Sequence, residues 1–170
     1  MCLSEVPVEF LREVFHYCPD TGAIRHKRNT ARAKAGDVVG YVNRDGYREI
    51  KVMYDGRRYT FMGHRLAVAL HEGAHPPPDL DVDHRDRDRQ NNRYLNLRVA
   101  TRSNNLANRP ASGPLPKGVT RSKTCVSKPF MAQISVRGRK FFLGYHPTAE
   151  EAHAAYVACA REHFGEFVRL

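Results

Sequence analysis

The chain has no tryptophan, four cysteines, and no apolar stretch long enough to span a membrane. A span needs about 20 consecutive apolar residues, and the mean hydropathy here is −0.59. Cys2, Cys18, Cys125 and Cys159 form no CxxC pair, so neither a thiolate zinc site nor a disulfide framework is indicated. Residues 1–10 are mixed and acidic, unlike a secretory signal peptide with its basic start and apolar middle. These absences point to an intracellular, reduced protein. Acidic side chains are also scarce. There are 18 Asp and Glu against 28 Lys and Arg, a formal charge of +10. That surplus favours a polyanionic partner, with nucleic acid the first candidate. At 170 residues and 41% hydrophobic content, the chain accommodates one ordinary domain or two small ones, each with a modest core.

The charge is uneven, with nine basic and four acidic side chains in residues 111–170. Just before them runs RPASGPLPK, which has three prolines and a glycine and can continue neither a helix nor a central strand. It sets a boundary, with domains at 1–109 and 117–170 and a linker at 110–116. Residues 1–62 read as short strands and turns: strands at 15–17, 23–26, 38–42, 47–53 and 58–61. Asp55-Gly56 supplies a strong hairpin signal. A helix is expected over 63–71, stopped by Gly73 and Pro76–Pro78. Strands follow at 81–84 and 97–100, then a helix from Arg102 to Asn108 with Thr101 as its N-cap. Beyond the linker come strands at 118–121, 130–136 and 140–145. Thr148 and Glu151 then open a helix through a capping box, with Ala152, Ala155, Tyr156, Cys159 and His163 along one side. The fold class is α+β: a strand-rich start, a β–loop–β–α unit over 81–108, and a three-stranded antiparallel sheet packed on one helix.

The residues with chemistry cluster in the middle unit. Asp83-His84 ends a predicted strand, Asn96 follows His84 by twelve residues, and Asn105 follows Asn96 by nine. Such an oxygen-rich set suits Mg²⁺ better than a structural zinc. Asn91 and Asn92 read as Asx-turn residues ending the loop, with a DNA contact as the alternative. His64 reads as structural or as a backbone-phosphate contact, and His71 and His75 as non-catalytic. His146 and His153 read as packing or surface residues.

Residues 64–109 resemble the HNH endonucleases of phages and prophages, in particular homing-type members whose last motif residue is Asn. The resemblance rests on His64-Arg65-Leu66-Ala67, Asp83-His84, Asn91-Asn92-Arg93, Asn96-Leu97-Arg98 and the Thr101 to Asn105 stretch. It implies a ββα-metal unit. It implies Asp83 and Asn105 as ligands of one Mg²⁺ or Mn²⁺, His84 as general base, and Asn96 as the residue that holds the loop. Arg85, Arg87 and Arg89 stand where many relatives have Ile, Gly and a varied residue, and are candidate DNA contacts. Residues 117–167 are similar to the AP2 DNA-binding domain. That similarity is carried by Lys117-Gly118-Val119, Phe130-Met131-Ala132-Gln133-Ile134, Phe142-Leu143-Gly144, Thr148-Ala149-Glu150-Glu151-Ala152 and Ala155-Tyr156. It implies that one sheet face lies in a DNA groove, with Arg121, Lys123, Gln133, Ser135, Arg137, Arg139 and Lys140 as candidate contacts. Phe141, Leu143 and Val136 are expected to pack on the helix.

Together the resemblances imply a site-directed DNA endonuclease that nicks double-stranded DNA as a monomer. No membrane or obligate protein partner is implied. The expected setting is the cytoplasm of a bacterial host, with a phage or prophage gene. The alternative is a non-enzymatic DNA-binding regulator on a nuclease-derived scaffold. An RNA-directed protein is a third reading that the basic surface allows.

Overall fold

A computed structural model describes residues 5–168. Cys2 and the first four residues of the 1–10 stretch lie outside the described residues. Cys18, Cys125 and Cys159 are unbridged. Among the described residues, no helix is long and apolar enough to cross a membrane. The chain forms two compact units, divided between Val99 and Ala100.

The first unit opens with α1 (Val8–Val14). The sequence reading gave only strands and turns in 1–62, and α1 corrects it. Pro7 stands at the N-cap, and no side chain caps the helix. Its Val-rich sequence also favours strand by propensity. Burial of Val8 and Leu11, three residues apart on one face, stabilises it. Two strands follow as an antiparallel hairpin, β1 (Phe15–Tyr17) and β2 (Ile24–His26). A three-stranded antiparallel sheet comes next, from β3 (Tyr41–Val42), β4 (Arg48–Tyr54) and β5 (Arg57–Met62), in the order β3-β4-β5. The expected strand at 38–42 is shorter than read, leaving Val38 in a single bridge to Arg25.

Helix α2 (Gly63–Glu72) buries Leu66 through Leu70 without a break. It is the central element of the core, packed among Leu11, Phe15, Ile24, Ile50, Phe61, Val82 and Leu97. Its C-terminus is closed twice. Gly73 takes the left-handed conformation at φ +79°, and the Arg12 guanidinium donates to the carbonyls of Leu70 and His71 at 2.8–3.1 Å. Arg65, in the first turn of α2, donates to the carbonyls of Pro76, Pro77 and Leu80 and so orders the proline-rich loop. That loop delivers the chain to β6 (Asp81–His84), which pairs with β7 (Leu97–Ala100).

The second unit begins with α3 (Arg102–Asn108). The Thr101 hydroxyl accepts from the Asn104 amide at 3.2 Å, as expected of an N-cap. Its sheet has the order β10-β9-β8, from β8 (Val119–Arg121), β9 (Phe130–Val136) and β10 (Arg139–His146), all antiparallel. Helix α4 (Ala149–Phe164) packs on one face, N-capped by Thr148. The buried stripe on α4 is Ala152, Tyr156, Ala160 and Phe164. That spacing of four differs from the stripe read from the sequence, which drifted to Cys159 and His163. His163 is exposed. Val136 and Leu143 pack against this core, but Phe141 is 44% exposed and stacks on the His163 ring. A bulge between Phe142 and Gly144 shifts the register there, which simple alternation does not anticipate.

The division at Val99–Ala100 precedes the 110–116 stretch that the sequence marked as a boundary. Two contacts explain why α3 groups with the second unit. Ala107 sits in the cluster with Ile134, Tyr156, Ala160 and Phe164. The Lys117 ammonium donates to the carbonyls of Leu106, Ala107 and Arg109 at 2.5–3.0 Å, closing the C-terminus of α3.

Gly118 lies against α4 at φ +80°, and an added Cβ would stand 2.0 Å from the Tyr156 ring. Gly118→Ala therefore combines left-handed strain with a steric clash. It is expected to cost about 2 kcal/mol or more and to lower the urea midpoint of unfolding. An unchanged midpoint would contradict this packing.

Candidate active site

Asp83 and His84 are the last two residues of β6, and both are buried, at 6% and 5% exposure. Adjacent residues on a strand point to opposite faces, so each meets different neighbours. Asp83 Oδ2 accepts from Arg98 Nε and Nη2 at 3.0 and 2.9 Å. Arg98 comes from β7, and the pair is 7% exposed on each side. The His84 ring packs edge-on to His64 at 5.1 Å and lies 6.1 Å from Tyr47. Tyr47 and His64 are themselves 5.2 Å apart, completing a three-ring cluster. His84 Nε2 lies 3.2 Å from Asn92 Oδ1.

The loop between β6 and β7 is held from inside. Asn96 Oδ1 accepts from the Asp86 amide at 3.1 Å, and Asn96 Nδ2 donates to Asp86 Oδ1 at 2.9 Å and the Asn91 carbonyl at 2.8 Å. The Arg85 amide donates to the Asn96 carbonyl at 2.8 Å. Asp86 Oδ2 accepts from Asn91 Nδ2 at 2.6 Å, and Asp86 Oδ1 also takes the Asp88 amide at 2.9 Å. Burial acts to raise the Asp86 carboxyl, but the bonds from Asn91 and Asn96 outweigh it and hold the group below the ordinary aspartate value. Asp86 thus stays ionised as the hub of the loop.

Arg87 stands at φ +69°, a left-handed conformation, and its amide donates to the His84 carbonyl at 3.1 Å. The turn is thus of the kind glycine makes without strain, and here a β-carbon is carried through it. Arg89 is committed elsewhere. Its guanidinium lies 4.8 Å over the Tyr47 ring and donates to the Asp45 carbonyl. Arg85, like Arg87, is exposed.

Asn92 was read from the sequence as a loop-ending residue or a DNA contact. It is neither an exposed contact nor a mere turn, because it is 2% exposed with its side chain on His84. Its carbonyl accepts from the Tyr17 hydroxyl at 2.8 Å. Gly22 lies so close that an added Cβ would stand 2.5 Å from the Asn92 carbonyl carbon. The Asn91-Asn92 doublet was visible, but which Asn turns inward depends on the hairpin that covers it. Tyr47 was missed for the same reason, since it arrives from a separate element; His64, read as structural or as a phosphate contact, is packed between Tyr47 and His84. His71 and His75 are structural. His71 stacks on Tyr94 at 3.7 Å, and His75 Nε2 contacts the Val6 carbonyl at 2.7 Å.

Burial is the strongest influence on His84 and lowers its pKa below the ordinary imidazole value. The Asn92 bond and the carboxylates Asp86, Asp83 and Asp88 act against it. The ring is accordingly neutral at pH 7 and able to take a proton. His64 is pushed down to about 3, first by burial and then by its proximity to His84 and Arg65. Its Nδ1 is buried without a hydrogen-bond partner.

The candidate groups of the second unit are distributed as follows. Asn105 lies mid-helix in α3, half-buried, its amide bonded to the Thr101 carbonyl at 3.0 Å. Register divides the expected DNA contacts of the sheet. Gln133, Ser135 and Lys140 share the face away from α4 with Thr120, Met131, Phe142 and Tyr145. Arg121 and Arg139 pair with Phe130 and Val136, on the helix side of the pleat at strand ends. Arg137 is in the β9–β10 turn at φ +49°, its amide donating to Ser103 Oγ at 3.1 Å. Lys123 is an exposed loop residue after β8.

Residues 62–107 match the family described as HNH endonuclease. Over those residues the chain is similar to HNH endonucleases. The DNA endonuclease I-HmuI of Bacillus phage SP01 is 36% identical over 83 residues, covering 48% of this chain and 47% of that protein. An uncharacterized HNH endonuclease, L560, of Acanthamoeba polyphaga mimivirus is 32% identical over 127 residues, covering 75% of this chain and 63% of that protein. The chain thus spans between about half and two thirds of the curated relatives it matches. A solved structure on DNA binding and cleavage by the HNH homing endonuclease I-HmuI is 28% identical, with a TM-score of 0.45, covering 61% of this chain and 55% of that one. The HNH segment contains Asp83, His84, Asn92, Asn96 and Asn105.

The neutral, half-buried His64 gives stability a pH dependence. Its folded pKa is depressed, so between about 3 and 6.5 the unfolded chain binds a proton that the folded chain does not. Stability therefore falls as pH drops from 6.5 towards 3. His64→Gln is expected to flatten that fall in urea midpoints taken at pH 7 and pH 5. An equal fall in both proteins would remove His64 as its source.

Proposed function

We propose that the protein is a metal-dependent DNA endonuclease that hydrolyses one phosphodiester per visit, with His84 as general base. The observation that carries this reading is the buried Asp83-His84 pair at the end of β6, its imidazole lowered in pKa by burial and held against Asn92. A neutral imidazole takes a proton from water as the water oxygen bonds to the phosphorus; the bond from phosphorus to the 3′-oxygen breaks, and the leaving 3′-oxygen takes up a proton to become a hydroxyl. Asn96 cross-links residues 86 and 91, which fixes the loop leaving His84. Asp83 offers a carboxylate and Asn105 a carboxamide oxygen. Hard oxygen donors of this kind fit Mg²⁺ or Mn²⁺ rather than a softer ion. A divalent ion held by such donors would supply electrostatic stabilisation of the charge that develops on the phosphate.

The C-terminal unit serves as an AP2-like DNA-binding module, with the face that carries Gln133, Ser135 and Lys140 turned to the duplex. Support comes from the register of that face and from the positive surplus of residues 111–170. Lysine contacts to phosphate position the protein, and Gln133 is suited to a base edge. One active site per chain fits a monomer that nicks. The phage and giant-virus relatives are in keeping with a phage or prophage gene.

Two experiments test this reading. Supercoiled plasmid incubated at neutral pH with Mg²⁺ or Mn²⁺ is expected to be nicked, and neither EDTA nor His84→Ala should permit it. Cleavage by the His84→Ala protein at the wild-type rate would remove the base. Failure to cut in any metal, alongside firm DNA binding, would favour the non-enzymatic regulator. Separately, Lys140→Ala is expected to weaken duplex binding and reduce the slope of log affinity against log salt by about 1. An unaltered slope would take that face off the DNA.

A further inference from the structure

Asn92 is a buried side chain in contact with the base, and the sequence reading gave it only a loop-ending or DNA-contact role. Its amide oxygen, 3.2 Å from His84 Nε2, can only accept a hydrogen bond. An imidazole that donates to it must carry its proton on Nε2, which leaves the basic lone pair on Nδ1. We propose that Asn92 is a positioning residue that holds His84 in the Nε2–H tautomer, so that Nδ1 takes the proton from water. This inference rests on His84 being the general base.

The surroundings of Asn92 fit such a task. Its own carbonyl takes the Tyr17 hydroxyl at 2.8 Å, and the neighbouring Tyr94 amide donates to the Pro19 carbonyl at 3.0 Å. Both partners belong to the β1–β2 hairpin segment. Gly22, at φ +74°, lets that hairpin close directly onto the Asn92–Arg93 peptide, where an added Cβ would sit 2.5–2.6 Å from backbone atoms. On the other side, Gly63 opens α2 beneath the amide. A Cβ there would come within 3.3 Å of Asn92 Nδ2. The Asn92 backbone is thus fixed by one element and its side chain is given room by another. The Tyr47 and His64 rings pack beside the His84 ring, at 6.1 and 5.1 Å between centroids. Removing the outer hydrogen-bond partner of a metal-bound histidine typically costs about 10–100-fold in metal affinity or activity, and a loss of that order is expected for a base held in the same way.

The test reads the ring nitrogens directly. Long-range ¹H–¹⁵N correlation spectra of the full chain, with His84 assigned by comparison with His84→Gln, report which nitrogen is protonated in the neutral ring. The wild-type His84 is expected to show the Nε2–H form. Asn92→Ala should yield a mixture of tautomers, and Asn92→Asp, which retains an acceptor, should keep the Nε2–H form. In single-turnover cleavage of plasmid with Mg²⁺, Asn92→Ala is expected to lose about 10–100-fold in rate with DNA affinity unchanged, and Asn92→Asp to recover part of it. A wild-type ring in the Nδ1–H form overturns the proposal, and it does so even if the alanine variant fails to fold. An Asn92→Ala protein with wild-type tautomer and rate overturns it equally. The base assignment stands or falls separately, on His84→Ala cleavage.

Discussion

Placing a carboxylate and an imidazole side by side, both buried, obliges the protein to provide a partner for each. Arg98 answers Asp83 and Asn92 answers His84, and much of the first unit is arranged to deliver those two partners. β7 must pair with β6 to bring Arg98 across. The loop between them must be fixed, which Asp86 and Asn96 achieve from within. The β1–β2 hairpin must then cover Asn92 from outside. Leaving a buried charge without its partner costs about 3–5 kcal/mol, so the interdependence is energetic as well as geometric.

The excess of basic side chains has a second use besides attraction to polyanions. Arg12, Arg65 and Lys117 each spend their donors on two or three backbone carbonyls, and Arg12 and Lys117 do so at the C-termini of α2 and α3. Cations are favoured there because helix ends present unpaired carbonyls and the negative end of the dipole. Arg89 similarly lies on Tyr47. The formal charge of +10 therefore overstates the number of cations turned outward to a ligand.

Local signals made much of this legible in advance. β6, β7, α3 and β9 begin and end where alternation and capping residues put them. Thr101 and Thr148 cap as their positions suggested. α1 was not legible, because seven residues with a weak propensity form a helix only when a core receives Val8 and Leu11. At the far end of the α4 stripe Ala160 and Phe164 are buried, with Cys159 partly buried against the same cluster and His163 exposed. In the candidate site, the Asp83, His84 and Asn96 spacing could be seen along the chain. The inward turn of Asn92 and the ring cluster of Tyr47 and His64 could not. They depend on three elements far apart in sequence, and only packing decides which polar side chain is covered.

Helix α3, which bears Asn105, is bound into the same core as the β8–β10 sheet through Ala107 and tied to its entry strand by Lys117. The proline-rich stretch between them also contributes Leu115 to the packing around Val119 and Ala132. A gene fusion that swaps the C-terminal sheet at 110–116 would therefore sever a packed unit, despite the flexible look of that sequence. Any exchange of the sheet between relatives, natural or engineered, therefore has to carry α3 with it.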